Sequence, residues 1–306
     1  MLRKTIVSAC LVLGLSTASF AQVKLERKYH EGTTESAEAT SKLEQKLSIA
    51  GMDTETNVET RSTIKATVGK RDAGGLLRVQ GKIESLQITM GVQGMSYFFD
   101  SANPDNKGGS ALEVLRDIHK ALAQQTTTTI FDKDNKIYAI ESDQDVLSNL
   151  PEEIRKLVKS QLDPEYLKKA ANQELEQLPS GPVNKGDSWQ RTEIVNFGAG
   201  QIMTFQTKYT YEGTVEKDGR TLDKITSKTL SVDYSLQDSP LPLTVKSSEL
   251  KAAESESVVL FDRDLGQVVE STASIRITGD ITFSVNNKDL PSKLDLKMQS
   301  NVARKR

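Results

Sequence analysis

The chain has 306 residues, with 40 basic and 42 acidic side chains and a formal charge of −2. A near-neutral, slightly acidic protein has no electrostatic basis for binding nucleic acid. Its 19 glycines and 8 prolines exclude collagen-like and linker-like chains. Hydrophobic residues make up 36% and aromatics 5%, a lean composition that folds if the apolar positions are periodic.

The first 21 residues carry the pattern of a secretory signal. Arg3 and Lys4 form a charged start, Ile6 to Leu15 form a short apolar stretch, and Ser19-Phe20-Ala21 places small residues before a cut at Gln22. The apolar stretch is too short to span a bilayer, which takes about 20 residues, and no later stretch approaches that length. Val7-Ser8-Ala9-Cys10 has the shape of a bacterial lipobox, but the apolar run continues beyond Cys10 through Leu11, Val12, Leu13 and Leu15. A cut there would bisect it, so cleavage after Ala21 is expected, with export to the periplasm or medium. The mature chain then has no cysteine, no disulfide and no thiolate chemistry.

Residues 22–41 are polar and aperiodic and read as a flexible N-terminal segment. A first β half follows over 42–144. Leu43, Gln45, Leu47 and Ile49 alternate with charged or polar neighbours, and so do Leu77, Val79, Gly81 and Ile83. Period two with Gly-rich turns predicts an antiparallel meander with one wet face. Within this half the spacing predicts a helix over 110–124. Ser110 and Glu113 have capping-box spacing, and Leu112, Leu115, Ile118 and Leu122 form its apolar stripe. Residues 145–178 read as a helical middle. Leu147, Leu150, Ile154 and Leu157 make one stripe; Asp163-Pro164 restarts the chain as cap and first residue; Leu167, Ala171, Leu175 and Leu178 make the next. The second β half, 179–306, shows strand patterns near 188–196, 201–212, 221–236, 242–250, 255–262, 266–277 and 280–285. Asp218-Gly219 is a strong hairpin signal. Leu294, Leu296 and Met298 alternate like a last strand before a fraying Arg304-Lys305-Arg306 end.

Two fragments recur in order. Lys82-Ile83-Glu84-Ser85 resembles Lys224-Ile225-Thr226-Ser227, and Ile130-Phe131-Asp132-Lys133-Asp134 resembles Leu260-Phe261-Asp262-Arg263-Asp264. Duplication and convergent turn chemistry both account for them.

Side chains able to carry chemistry are few. His30 and His119 are the only histidines, and nothing pairs them at metal-ligand spacing, so no metal site and no cofactor is expected. Asp132-x-Asp134 and Asp262-x-Asp264 open like calcium loops, but the sixth and twelfth positions are Ile137 and Asp143 in the first, and Gln267 and Ala273 in the second. They read as hairpin turns. Lys107-Gly108-Gly109-Ser110 lacks phosphate-loop spacing. No Gly-x-Ser-x-Gly occurs. Glu152-Glu153 and Asp143/Asp145 read as solvated charge. No catalytic residue is assigned, and an enzyme is not expected. Trp189, the single tryptophan, reads as a core anchor of the second half, with a ligand contact as the sharper alternative.

Leu178-Pro179 followed by Pro182-Val183-x-x-Gly186-Asp187-Ser188-Trp189, and then Tyr209-Thr210-Tyr211-Glu212-Gly213, resembles a family of uncharacterised secreted bacterial proteins. Lys42-Leu43-Glu44-Gln45-Lys46-Leu47, Val68-Gly69-Lys70-Arg71-Asp72 and Lys82-Ile83-Glu84-Ser85 resemble the same family's first half. The family label is one of unknown function, so the resemblance carries no catalytic residues. By fold plan alone, the chain is similar to the lipoprotein-carrier half-barrels of the bacterial envelope.

The expected fold is α+β, mainly antiparallel β: a curved sheet or open half-barrel with a few helices against one face. The expected function is non-enzymatic binding of an apolar or amphipathic, lipid-like ligand between sheet and helices. Leu112, Leu115, Ile118, Leu122 and Trp189 are the candidate ligand contacts. The alternative is a structural or protein-interaction module of the cell envelope with a filled core. Sequence alone names no protein partner.

Overall fold

The computed structural model describes residues 22–106, 111–142, 152, 155, 163–198, 200–237, 239 and 242–305. The signal segment, the Lys107 to Ser110 loop with its expected cap, and the stripe Leu147, Leu150, Ile154 and Leu157 lie outside the described residues.

The strands are β1 (Thr34–Ile49), β2 (Met52–Val68), β3 (Leu77–Val92), β4 (Met95–Asp100), β5 (Thr126–Phe131), β6 (Ile137–Ser142), β7 (Ser188–Gly198), β8 (Gln201–Lys217), β9 (Arg220–Leu236), β10 (Thr244–Asp262), β11 (Gln267–Val285) and β12 (Lys288–Lys305). A 3-10 turn, Ala111–Leu115, leads into helix α1 (Arg116–Gln124), and helix α2 spans Pro164–Leu175. All twelve strands form one antiparallel sheet in the order β6-β5-β3-β2-β1-β12-β11-β10-β9-β8-β7, with β4 added beside β3. The sheet is curved and open, with helices as expected from the alternating strands and short amphipathic stripes. Two meanders, β1-β2-β3-β5-β6 and β7-β8-β9-β10-β11, repeat the same neighbour order on either side of β12. The recurring fragments fall at matching places: Ile83 on β3 and Ile225 on β9, and Phe131 and Phe261 entering the β5–β6 and β10–β11 turns.

Local chemistry sets the register. Ala50-Gly51, Gln93-Gly94, Asp218-Gly219 and Asn286-Asn287 all have positive φ at both positions. That is the backbone of the two-residue turn matching the strands' own twist. Asp72, Asp132 and Asp262 close three longer turns with their side chains. Asp132 Oδ1 accepts from the amides of Asp134 (2.8 Å) and Lys136 (2.9 Å), and Asp262 Oδ1 from those of Asp264 (3.1 Å) and Leu265 (3.0 Å). Both aspartates thus act as turn formers.

Three expectations about the strands are corrected. The stretches 242–250 and 255–262 are one strand, β10, and 266–277 and 280–285 are one strand, β11. The interruptions are a register shift between Ala252 and Glu254 and a glycine, Gly279, inside β11. Gly279 has φ of 153°, and a Cβ there would sit 2.1 Å from the Glu249 carbonyl oxygen, so only glycine lets β10 approach so closely. The C-terminal end does not fray at Arg304. β12 is paired on both edges, and Arg304 and Lys305 bond Glu35 and Glu38 of β1.

Residues 22–41, expected to be a flexible lead-in, cross from one half to the other and then enter β1 at Thr34. Val23 exchanges backbone hydrogen bonds with Val183 at 2.9 Å, and the Lys28 amide donates to the Gly266 carbonyl at 2.9 Å. Gly266, at φ 65°, has no room for a Cβ against Lys28. Leu25 is buried with Val183, Tyr209, Tyr211 and Phe261, while Tyr29 packs on Phe131 with ring centroids 4.4 Å apart.

Helix α2 joins the two edges of the sheet. Asp163 caps it, accepting from the amides of Glu165 (3.0 Å) and Tyr166 (3.1 Å), with Pro164 at the first position as the sequence predicts. Leu167, Ala171 and Leu175 pack on Ile137 and Ile140 of β6. Its other side faces β7. The Gln173 amide donates to the Ile194 carbonyl (3.2 Å) and its oxygen accepts from the Ile194 amide; the Tyr166 hydroxyl accepts from the Asn196 amide (3.1 Å). A glutamine side chain has the same donor and acceptor as a peptide group, so it stands in for a missing strand partner.

Candidate functional site

The concave face of the second half holds two apolar clusters. One contains Phe205, Val232, Ile277, Ile281, Leu294 and Leu296. The other contains Leu25, Leu178, Tyr209, Ile225, Val259 and Phe261. Between them lies a cleft of about 460 Å3 whose wall takes Phe205, Leu43, Ile275 and Met298 from the first cluster's side and Tyr209 and Val259 from the second. This size falls within the usual range of ligand pockets.

Residue size at one level of the sheet explains the gap. Directly paired residues lie on the same face of an antiparallel sheet. Going across the strands, Thr60 pairs with Ser41, Ser41 with Ser300, and Ser300 with Ala273. Ala273 pairs with Ser257, Ser257 with Ser227, Ser227 with Tyr209, and Tyr209 with Trp189. Six successive strands therefore place serine, threonine or alanine inward at the same height. The curved backbone keeps its spacing and the small side chains leave the interior unfilled. Ser255 and Thr229 satisfy each other, Oγ to Oγ1 at 3.0 Å. The hydroxyls of Ser41, Ser227, Ser257 and Ser300 have no protein partner among the described residues.

At the β7 end stands a carboxylate. Glu193 accepts from the Tyr209 hydroxyl and, at 3.4 Å, from Thr207 Oγ1. Burial, reinforced by the Glu193 charge, raises the Tyr209 pKa, so the phenol stays a donor. Trp189 stacks on Tyr209 with ring centroids 5.8 Å apart and planes 10° from parallel. It packs half-buried against the Leu25–Phe261 cluster, and its buried indole N–H has no partner among the described residues.

The other four residues singled out in sequence sit elsewhere. Leu112 and Leu115 pack on Leu86, Ile88, Tyr97 and Phe99 of β3 and β4, Ile118 of α1 is buried, and Leu122 is half-buried. The described wall of the cleft includes none of these four, nor Trp189, whose ring stacks against the lining Tyr209. Glu193 and the inward serines were not singled out. Their signal was present only as polar residues on both faces of a strand, a pattern that erases the alternation by which inward positions are recognised.

Beneath α1 lies a second polar group. Arg116 is 2% exposed; its Nε donates to Glu113 at 2.6 Å, and its terminal nitrogens to the carbonyls of Phe98 and Pro104 at 3.1 Å each. The His119 Nδ1 lies 2.8 Å from the Tyr97 hydroxyl. Burial, with the Arg116 charge adding to it, pushes the His119 pKa down to about 4 from its ordinary 6.5. The folded state then binds fewer protons than the unfolded state, so the neutral imidazole's contribution is intact above about pH 6.5 and is lost toward pH 4. Lowering the pH from 7 to 4.5 is expected to cost about 2–3 kcal/mol through this group. Denaturation of His119→Gln at the two pH values checks this; an acid loss as large as the wild type's would show that other groups carry it. His30 sits apart, with Nε2 2.9 Å from the Leu265 carbonyl. Among the described residues no three His, Cys, Asp or Glu side chains are grouped to hold a metal.

Fold and site together define a curved antiparallel β protein with a hydroxyl-lined cleft on its concave face. The chain belongs to a family of unknown function (DUF6263), whose model matches residues 74–233. The matched range includes the Leu178 to Trp189, Tyr209 to Gly213 and Lys82 to Ser85 motifs; Lys42 to Leu47 and Val68 to Asp72 lie before it. No curated protein matches the chain. Among solved structures, one titled for lipid–protein interactions in lipovitellin is similar at a TM-score of 0.43 and 11% identity, over 91% of this chain and 26% of that one. The chain thus spans about a quarter of that protein's length. OccK5 (OpdH) of Pseudomonas aeruginosa matches at a TM-score of 0.24 and 7% identity, over 90% of this chain and 99% of that one. A DUF1329 family protein of Desulfovibrio piger matches at 0.14 and 8%, over 85% and 83%. No helix among the described residues is long and apolar enough to cross a membrane.

Proposed function

We propose that the protein is an exported, non-enzymatic binding protein that holds an amphipathic, lipid-like ligand in the cleft formed by β1 and the second β half. The cleft carries this reading: apolar walls at both ends and a floor of unpaired hydroxyls between them suit a molecule with apolar and polar parts. Of the residues singled out in sequence, Trp189 supports the cleft indirectly, as the ring stacked on the lining Tyr209, whereas Leu112 and Leu115 pack on β3 and β4. Export rests on the Arg3 to Ala21 pattern, and the exported chain should begin at Gln22 on N-terminal sequencing.

The neutral probe N-phenyl-1-naphthylamine is expected to brighten on binding the purified mature protein. Ser257→Phe should abolish that signal, because the ring fills the cleft, at a stability cost below about 1 kcal/mol. In a filled interior the same substitution would cost about 1–3 kcal/mol by overpacking. A strongly destabilised variant of a protein that binds no probe would instead support the envelope interaction module.

A further inference from the structure

The charge inside the cleft is one-sided. Glu193 points inward from β7, opposite Phe205 on β8, and lines the cleft. Its two donors, the hydroxyls of Tyr209 and Thr207, are neutral. No lysine or arginine forms an ion pair with it among the described residues. Arg191, two residues along the same strand and on the same face, acts on Tyr209 through its charge, but it bonds the carbonyls of Glu176 (3.1 Å) and Gln190 (2.8 Å) and is outside the described wall of the cleft. Lys42 alternates with the inward Ser41 and Leu43, so it lies on the outer face, where it pairs with Glu59 at 3.7 Å. Glu256, between Ser255 and Ser257, is likewise exposed. Beside the carboxylate, Tyr209 lines the cleft, with Trp189 stacked against its ring outside the described wall. A carboxylate without an ion-pair partner, an aromatic ring and a floor of hydroxyls are together the chemistry that recognises an ammonium group.

We propose that the cleft selects by charge: it takes an amphiphile whose polar end is an ammonium and rejects the matching carboxylate, with Glu193 as the residue that decides. This rests on the binding reading above. The carboxylate end of a fatty acid would meet Glu193 in a partly desolvated space where like charges repel strongly. An ammonium in the cleft would supply the direct ion pair that Glu193 does not make among the described residues.

The test uses the mature protein with N-phenyl-1-naphthylamine as reporter. Dodecyltrimethylammonium and dodecanoate, both below their micellar concentrations, act as competitors. The ammonium should displace the reporter at about tenfold lower concentration than the carboxylate. In Glu193→Gln, which preserves size and the Tyr209 hydrogen bond, the ratio should fall to near one. Ser227→Lys, which brings a positive charge into the cleft and leaves Glu193 in place, should give the same collapse and serves if the first variant does not fold. Equal displacement by the two competitors in the wild type, or a preference that survives both substitutions, overturns charge selection and leaves the binding reading intact. Failure of the wild type to bind the neutral reporter overturns both.

Discussion

Replacing Arg116 with alanine is expected to destabilise the protein by about 3–5 kcal/mol, the range for breaking a buried charged network by removing one partner. The guanidinium is buried on all sides. It pairs with Glu113, bonds the carbonyls of Phe98 and Pro104, and lies over the rings of Tyr97 and Phe99, 5.5 and 5.9 Å from their centres. Truncation strands two carbonyls, leaves Glu113 facing its lost partner's space and opens a void between α1 and β4. Arg116→Lys keeps the charge but lacks the fork that reaches three acceptors, so it should recover only part of the loss. Urea denaturation measures both; a change below about 1 kcal/mol for the alanine variant would mean that α1 is held by its leucines alone.

Asp223→Ala is expected to cost a similar amount, about 3–5 kcal/mol. Asp223 is 2% exposed on β9 and accepts from the Tyr211 hydroxyl at 2.7 Å and from Arg263 Nε at 3.0 Å, with a second bond from the same guanidinium. Tyr211, pushed up to about 12 mainly by its burial, would keep its proton with nothing to receive it. Arg263 sits in the β10–β11 turn, so losing the aspartate also unties that turn from β9. Asp223→Asn, which retains one acceptor, should cost about 1–3 kcal/mol. Thermal denaturation ranks the two; equal, small losses would place the stabilisation in the surrounding apolar cluster.

Much of the fold was legible because its strands are one-sided. Leu43, Leu47 and Ile49 on β1 and Leu77 and Val79 on β3 alternate cleanly, and Asp163-Pro164 marks a helix start without tertiary help. Continuity was harder to read. The bulge after Ala252 and the glycine at 279 look like strand ends, because a period-two pattern slips by one residue at a bulge. Residues 22–33 look polar and loose, yet Leu25 and Tyr29 are held by partners more than a hundred residues away. The site was the least legible part. Serine at an inward position is indistinguishable in sequence from serine at an outward one, and the cleft exists because several strands, distant in sequence, carry small residues at one height. Buried Arg116 and Asp223 were hidden for the opposite reason: charged side chains read as surface, and only the assembled neighbours reveal otherwise.

The place of β1 has a consequence for the order of events in folding. It is the first of the described strands, yet one of its edges is covered by β12, the last of them, with Ser36 opposite Lys305. Until β12 is available, β1 and β11 each present a long open row of amides and carbonyls in what will become the middle of the sheet. Such edges are templates for pairing with other chains. The sheet therefore cannot be completed progressively from β1; these two edges stay open until β12 is in place, and closing them is a slow step dominated by contacts distant in sequence.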